Sequence, residues 1–216
     1  MITLYGFGRI FREGIGETKD LRVEWALQET GLPYRVHALD HTAGELDSPA
    51  YRKISPFRQA PAIDDNGFVV AESGAALLYI AEKAGKLIPS DVEGRTRVTQ
   101  WCFAAVSTVA PTLSLLGLGD IAGLNDNGRK TWTGIAKRWL DGLEERLDGR
   151  EWIACQDFTV ADILLATVLR EVRNTDLVEP YPRLKAYYAR ALARPAWERT
   201  LALYAERFGV SVADIR

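Results

Sequence analysis

Cysteine, histidine and methionine are scarce: the 216-residue chain holds two, two and one of them. Two thiols, Cys102 and Cys155, cannot build a disulfide framework or a four-thiolate zinc site. His37 and His41 fall where a strand passes into a loop and no third ligand is evident, so no metal is expected. An excess of one charge sign is also missing. Lys and Arg number 27 against 29 Asp and Glu, a formal net charge of −2, and without a basic field neither nucleic acid nor anionic lipid is an expected partner. No apolar run nears the roughly 20 residues that cross a bilayer. The opening Met1-Ile2-Thr3-Leu4-Tyr5-Gly6 lacks the basic-then-apolar pattern of a secretory leader, so a cytoplasmic, reducing setting is expected. What is present is the mixture of a soluble globular chain: 47% of residues are hydrophobic and 26% charged, enough for one large domain or two small ones.

The first part mixes strands and helices. Ile2-Thr3-Leu4-Tyr5 and Pro33 to Leu39 suit strands, and the helix Leu21 to Gln28 between them ends at Gly31 and Pro33. This βαβ unit predicts two parallel strands. Ala62-Ile63 and Phe68-Val69-Val70 flank a turn containing Asn66-Gly67, the signature of a hairpin. A helix follows from Ser73 to Ala84, so the order is βαβ then ββα. After residues 84–91 no strand pattern is convincing. Ser90 with Glu93 predicts a capped helix to Leu116, bent at Pro111. Ile135, Ala136, Trp139, Leu140, Leu143 and Leu147 mark one buried helical face. Helices also fit Thr159 to Val172, Tyr181 to Leu192 and Ala196 to Phe208. The expected division is an α/β domain at 1–83, a linker at 84–91 and an all-helical domain at 92–216.

Five stretches recur in a telling order: Leu21-Arg22-Val23-Glu24-Trp25-Ala26-Leu27-Gln28-Glu29-Thr30-Gly31-Leu32-Pro33-Tyr34, Gln59-Ala60-Pro61-Ala62-Ile63, Glu72-Ser73-Gly74-Ala75-Ala76-Leu77-Leu78-Tyr79-Ile80, Phe158-Thr159-Val160-Ala161-Asp162-Ile163 and Arg194-Pro195-Ala196-Trp197. Together they resemble the soluble, cytosolic-type glutathione transferases of bacteria over nearly the whole chain. The resemblance implies a thioredoxin-like βαβ–ββα domain followed by a helical bundle. It implies a cis proline at Pro61, with the Ala60 backbone pairing with the cysteinyl part of glutathione as an added strand would; an ordinary trans proline is the alternative. It implies that Glu72 and Ser73 receive the γ-glutamyl end, since a helix N-terminus suits a carboxylate, and that Gln59 meets the glycine end. Simple capping by Ser73 is the competing account. Thr159 and Asp162 read as a structural capping box.

One passage departs from the family. Phe7 to Lys19 is several residues longer than the usual connection between first strand and first helix, where the group that activates the glutathione sulfur normally stands. Counting back from Trp25 lands near Thr18, whose alternative role is a helix cap. Tyr5, at the strand end, is the second candidate. Arg9 and Arg12 are candidate contacts to the thiolate or the glycine carboxylate. Phe57, four positions before Pro61, stands where several classes place an aromatic that inserts into a partner subunit, so a homodimer is implied; burial within its own domain is the alternative. The implied activity is conjugation of glutathione, as co-substrate and without a metal, to a small hydrophobic electrophile. A glutathione-dependent isomerase, dehalogenase or peroxidase, and a non-catalytic binding protein, stand beside it.

Overall fold

A computed structural model describes residues 1–215. Four strands form one mixed sheet in the order β2-β1-β3-β4. The elements are β1 (Ile2–Arg9), α1 (Asp20–Thr30), β2 (Tyr34–Asp40), α2 (Pro49–Ile54), β3 (Ala62–Asp65), β4 (Phe68–Ala71) and α3 (Ser73–Ala84). β1 pairs in parallel with β2 and antiparallel with β3, and β3 pairs antiparallel with β4. This is the thioredoxin-like arrangement implied by the sequence. Asn66 and Gly67 both have positive φ, 55° and 92°, the requirement of a two-residue turn that follows strand twist.

β1 is longer than expected, running through Phe7, Gly8 and Arg9. These residues of the supposed loop continue the strand by pairing with Leu39 and Asp40 of β2, and close packing demands the glycines on either side of Phe7. A Cβ on Gly6 would lie 2.7 Å from Asp20 Oδ2, and one on Gly8 would lie 2.6 Å from Ala38 Cβ. Leu4 is buried on one face of the sheet. On another side Leu39, Leu46 and Tyr51 cluster with Tyr5, Phe7, Ile54 and Ala60.

The helical part comprises α4 (Val92–Phe103), α5 (Ala110–Gly117), α6 (Asp126–Arg146), α7 (Val160–Arg170), α8 (Pro182–Leu192) and α9 (Pro195–Phe208). Asp91, and not Ser90, caps α4 by accepting from the Gly94 N–H at 2.7 Å. Near Pro111, where a bend is expected, the structure has a π-helical stretch, Ala104–Val109, directly before α5. Pro111 has no N–H for a helical bond, and its ring crowds the carbonyl four residues back; a widened turn before it relieves both. α7 is buried along its whole length. At its start Thr159 and Asp162 meet as a capping box, and Asp162 also accepts from Ile153 N–H at 2.9 Å and Tyr187 O–H at 3.1 Å.

The chain forms two compact units, residues 1–86 with the segment from Arg194 onward, and Leu87–Ala193. The expected helical domain at 92–216 is therefore divided: α9 packs with the sheet unit. The reason is a set of contacts from α9 and its entry to α1. Trp25 and Trp197 rings lie 4.8 Å apart, Arg194 clamps Glu29 at 2.6 and 2.9 Å, and Arg207 reaches the start of α1.

Gly6→Ala tests the closeness of β1 to α1. The added methyl meets a buried carboxylate, and overpacking of this kind costs about 1–3 kcal/mol. Chemical denaturation should show that loss, whereas Gly67→Asn, which keeps a residue tolerant of positive φ at an open turn, should lose much less.

Candidate functional site

Strand register gathers the sequence motifs at one end of the sheet. Tyr5 stands opposite Ala62, and Ala62 opposite Ala71. The C-terminal part of β1, the Gln59-Ala60-Pro61 entry to β3 and the Ala71-Glu72-Ser73 exit from β4 are thus neighbours. α3 begins there at Ser73, and the start of α1 abuts Gly6. The Ala60–Pro61 peptide is cis. Among the described residues the Ala60 N–H and C=O have no hydrogen-bond partner, so one strand-like donor and acceptor stand ready for an extended ligand. The preceding residue is held in place: Gln59 N–H donates to Ser55 Oγ at 3.0 Å, and its carbonyl accepts from the Tyr51 hydroxyl at 2.9 Å. The Gln59 side chain is exposed.

Glu72 is exposed, and its φ of 72° is unusual for a residue with a side chain. Such backbone persists only where the surroundings impose it, and it clusters at ligand-binding turns. Glu72, not Ser73, is the N-cap of α3, and no side chain caps the helix. Its first N–H groups and positive dipole end are open to a carboxylate. Ser73 is buried, with its Oγ 3.5 Å from the Arg22 guanidinium. Arg22, itself buried, adds a positive charge behind the serine. Sequence reading missed it; the only signal was a basic residue on the inner face of an apolar helix. A turn that offers an acid outward, and a serine, free amides and a guanidinium inward, suits an amino acid headgroup of both charges.

The two candidates for sulfur activation have different surroundings. Tyr5 is half-buried, its ring 5.1 Å from His37 and 6.0 Å from Tyr51, and its hydroxyl has no partner among the described residues. Thr18 is half-buried and does not cap α1, whose N-cap is Lys19. Its hydroxyl lies 2.9 Å from the Tyr204 hydroxyl of α9. Arg9 stands on the strand with a side chain 74% exposed, 3.8 Å from Asp40, and Arg12 is exposed on a short 3₁₀ turn, Arg12–Gly14. Phe57 is 73% exposed on the turn before Pro61, which removes burial in its own domain as an account. His37 pairs with Glu45 at 2.9 Å, and His41 packs edge-on against Phe7 and Phe11. Among the described residues no three acids, histidines or cysteines form a metal-binding group.

Beneath this end lies a buried cluster of charge that local motifs did not reveal. Arg207 contacts Glu24 through two nitrogens at 3.2 and 3.0 Å, Asp20 at 3.3 Å and the Phe7 carbonyl at 2.9 Å. Asp20 also accepts from the Phe7 N–H at 3.0 Å. Burial pushes both carboxyls above the ordinary range, and Arg207 pulls them back. Burial likewise pushes the Tyr204 phenol up to about 12, with Asp20 adding to the effect.

Comparison with known proteins adds names to this geometry. Residues 13–82 match the family model of the glutathione S-transferase N-terminal domain, and residues 126–190 match that of its C-terminal domain. Disulfide-bond oxidoreductase YfcG of Escherichia coli is 28% identical over 190 residues, covering 81% of this chain and 86% of its own. Glutathione S-transferase F9 of Arabidopsis thaliana is 26% identical over 196 residues, covering 82% and 89%. A glutathione transferase family member from Pseudomonas fluorescens, solved with two glutathione bound, superposes with a TM-score of 0.80 at 29% identity over 92% of this chain and 91% of that one.

Arg207→Met tests the charge cluster. It leaves Asp20 and Glu24 buried without that cation, at a cost of about 3–5 kcal/mol near neutral pH. Both acids then bind protons more tightly folded than unfolded. The variant's stability is therefore greatest below the unfolded carboxylate range and is lost as pH rises from there through the raised folded values. Denaturation midpoints of native and variant protein should converge on acidification; a gap that does not vary with pH refutes the charge account.

Proposed function

Because the chain belongs to the glutathione transferase family, we propose that the end of the sheet formed by Ala60, Pro61, Glu72 and Ser73 is where it holds glutathione. The enzyme is a glutathione transferase. Its reaction replaces the S–H bond of glutathione by an S–C bond: the thiol gives up its proton, the thiolate attacks an electrophilic carbon, and a leaving group departs with the electron pair or the adjacent atom is protonated. A small hydrophobic electrophile is the proposed second substrate.

The observation that carries the assignment is the unpaired backbone of Ala60 beside a cis proline, next in register to an uncapped helix start. The cysteinyl part pairs with Ala60 as an added strand. The γ-glutamyl carboxylate meets Ser73 and the α3 amides, its ammonium meets Glu72, and Gln59 serves the glycine end. Thr18 donates to the sulfur, with Tyr5 as the rival donor. A free thiol has a pKa of about 8.5, and lowering it by about two units takes roughly 2.7 kcal/mol of preferential stabilisation of the thiolate. One hydroxyl supplies part of that, and the start of α1 supplies more.

The likeness to a disulfide-bond oxidoreductase supports a second reading, reduction of disulfides through glutathione on the same fold. Both cysteines lie outside the sheet unit, and burial pushes Cys102 up to about 12. The attacking sulfur in either reaction is then that of glutathione. Turnover of an aromatic halide against that of a small disulfide and of hydroperoxides separates conjugation from reduction and peroxidase chemistry. We place the reaction in the cytoplasm, where glutathione stays reduced, with removal of reactive electrophiles as its use.

Ser73→Ala should weaken glutathione binding about ten- to hundred-fold by calorimetry with folding retained, the usual loss for a hydrogen bond to a charged group; unchanged affinity rejects the site. A homodimer is proposed from the exposed ring of Phe57. If that ring enters a partner subunit, Phe57→Ala removes about 2 kcal/mol or more. Sedimentation should then show monomers at dilutions where the native protein stays paired, and a native monomer ends the proposal.

A further inference from the structure

Tyr51 is buried outside the motifs of the site, yet its hydroxyl touches the peptide unit that carries the Ala60 N–H. α2 begins at Pro49 behind Ser48, whose Oγ accepts from the Tyr51 N–H at 3.1 Å. This seats the Tyr51 side chain on Leu39 and Leu46, with Tyr5, Phe7, Ile54 and Ala60 packed around them. Tyr51 is 3% exposed and its ring meets that of Tyr5 edge-on at 6.0 Å, so it has no room to swing. Its hydroxyl donates to the Gln59 carbonyl at 2.9 Å. Burial, with the nearby Tyr5 phenol adding to it, pushes the Tyr51 phenol well above its ordinary value, so this donor keeps its proton.

A peptide unit is a rigid plane spanning two residues, and the Gln59 carbonyl and the Ala60 N–H belong to the same one. Both ends of that plane are tethered. At one end the Gln59 N–H donates to Ser55 Oγ at 3.0 Å, and Ser55 is itself buried. Beyond the other end Ala62 is held in the sheet between Tyr5 and Ala71. What is left is rotation of the plane about the line joining its two Cα atoms, and the Tyr51 hydroxyl stops it. The Gln59–Ala60 peptide is trans. With its carbonyl turned to Tyr51, its N–H therefore points the opposite way, away from the apolar cluster. An amide whose carbonyl already accepts is also a stronger donor.

We propose that Tyr51 is a positioning residue for glutathione: by holding the Gln59 carbonyl it aims the Ala60 N–H at the cysteinyl carbonyl of the tripeptide. The proposal rests on the reading of Ala60 as the partner of the cysteinyl part. The effect of Tyr51 is then confined to one bond of the ligand, and the γ-glutamyl headgroup at Glu72 and Ser73 does not depend on it. A role limited to tying α2 to the turn before Pro61 has no such selectivity, because its loss loosens the site for every ligand.

The experiment compares the calorimetric affinities of two thiols, glutathione and γ-glutamylcysteamine. The second keeps the γ-glutamyl headgroup, the amide N–H that follows it and the thiol, but lacks the cysteinyl carbonyl and the glycine. Tyr51→Phe removes a single oxygen atom; it should weaken glutathione about fivefold and leave γ-glutamylcysteamine unchanged. Tyr51→para-aminophenylalanine keeps the ring and a weaker donor, so folding is not at issue there. Its loss should be about twofold and again confined to glutathione. Ser73→Ala, in contrast, should weaken both thiols. Unchanged glutathione affinity in Tyr51→Phe overturns the proposal, and so does an equal loss for the two thiols. Where Tyr51→Phe does not fold, an unaltered ratio of the two affinities in the para-aminophenylalanine protein overturns it. A loss for both thiols in Ser73→Ala with no selective effect at Tyr51 keeps the site and removes the positioning role. No loss in Ser73→Ala removes the site and the proposal together.

Discussion

One guanidinium holds the first and last helices of the chain in register. Arg207 of α9 meets Glu24 and Asp20 of α1 and the Phe7 carbonyl at the end of β1, so three elements share one buried cation. Contact between Trp25 and Trp197 supplies attraction between the helices, but apolar contact has no direction along their axes. The ion cluster supplies the direction. It is not a simple source of stability, because burial costs each charge several kcal/mol and mutual attraction repays that only with good geometry. Three features improve the geometry here: two nitrogens on one carboxylate, an amide donated to Asp20, and the place of Asp20 at the positive end of α1. With Arg207 seated, Tyr204 is one turn away on the same helix, facing the loop that carries Thr18.

The parts of the fold that local chemistry dictates were legible in the sequence. The Asn66-Gly67 turn, the end of α1 at Gly31 and the span of α3 each depend on residues that act within a few positions of themselves. What was not legible depends on partners far along the chain. β1 extends through Gly6 and Gly8, residues that weaken an isolated strand, because β2 pairs with it along that stretch, and Asp20 and Ala38 approach too closely for any side chain at the two glycines. α9 reads as one more amphipathic helix, and nothing in its own pattern shows that its partner is α1. Arg207 and Asp20 are 187 positions apart, and pairing over such separation leaves no periodic trace. The cap of α4 slipped by one residue because Ser90 and Asp91 are both good caps.

The site divides in the same way. Gln59, Ala60, Pro61, Glu72 and Ser73 sit in two short motifs whose spacing carries their own turn geometry, and strand register then makes them neighbours. Arg22, Tyr204, Asp20 and Gly16 act through contacts formed only on folding. The spacing from Trp25 points to Thr18 in the loop but carries no sign of Tyr204, 186 positions away. The same limit applied to the arginines: a basic loop reads as a cluster of candidate ligands until the strand is seen to carry Arg9 toward Asp40.

Burial separates these groups as candidates to stabilise the proposed thiolate. The Arg9 side chain is largely in water and already shares its charge with Asp40, and exposed charges are screened over about 8–10 Å at ordinary ionic strength. Thr18 carries no formal charge, but its hydroxyl is fixed by a bond to the buried Tyr204 phenol at 2.9 Å, and dipoles fixed in a low-dielectric setting act without reorganisation cost. A mobile cation at the loop tip must first be ordered, at up to about 2 kcal/mol of side-chain entropy. The oriented hydroxyl has already lost that freedom in folding. For the thiolate proposed at this site, a hydroxyl already ordered in folding is therefore a better candidate donor than an exposed arginine.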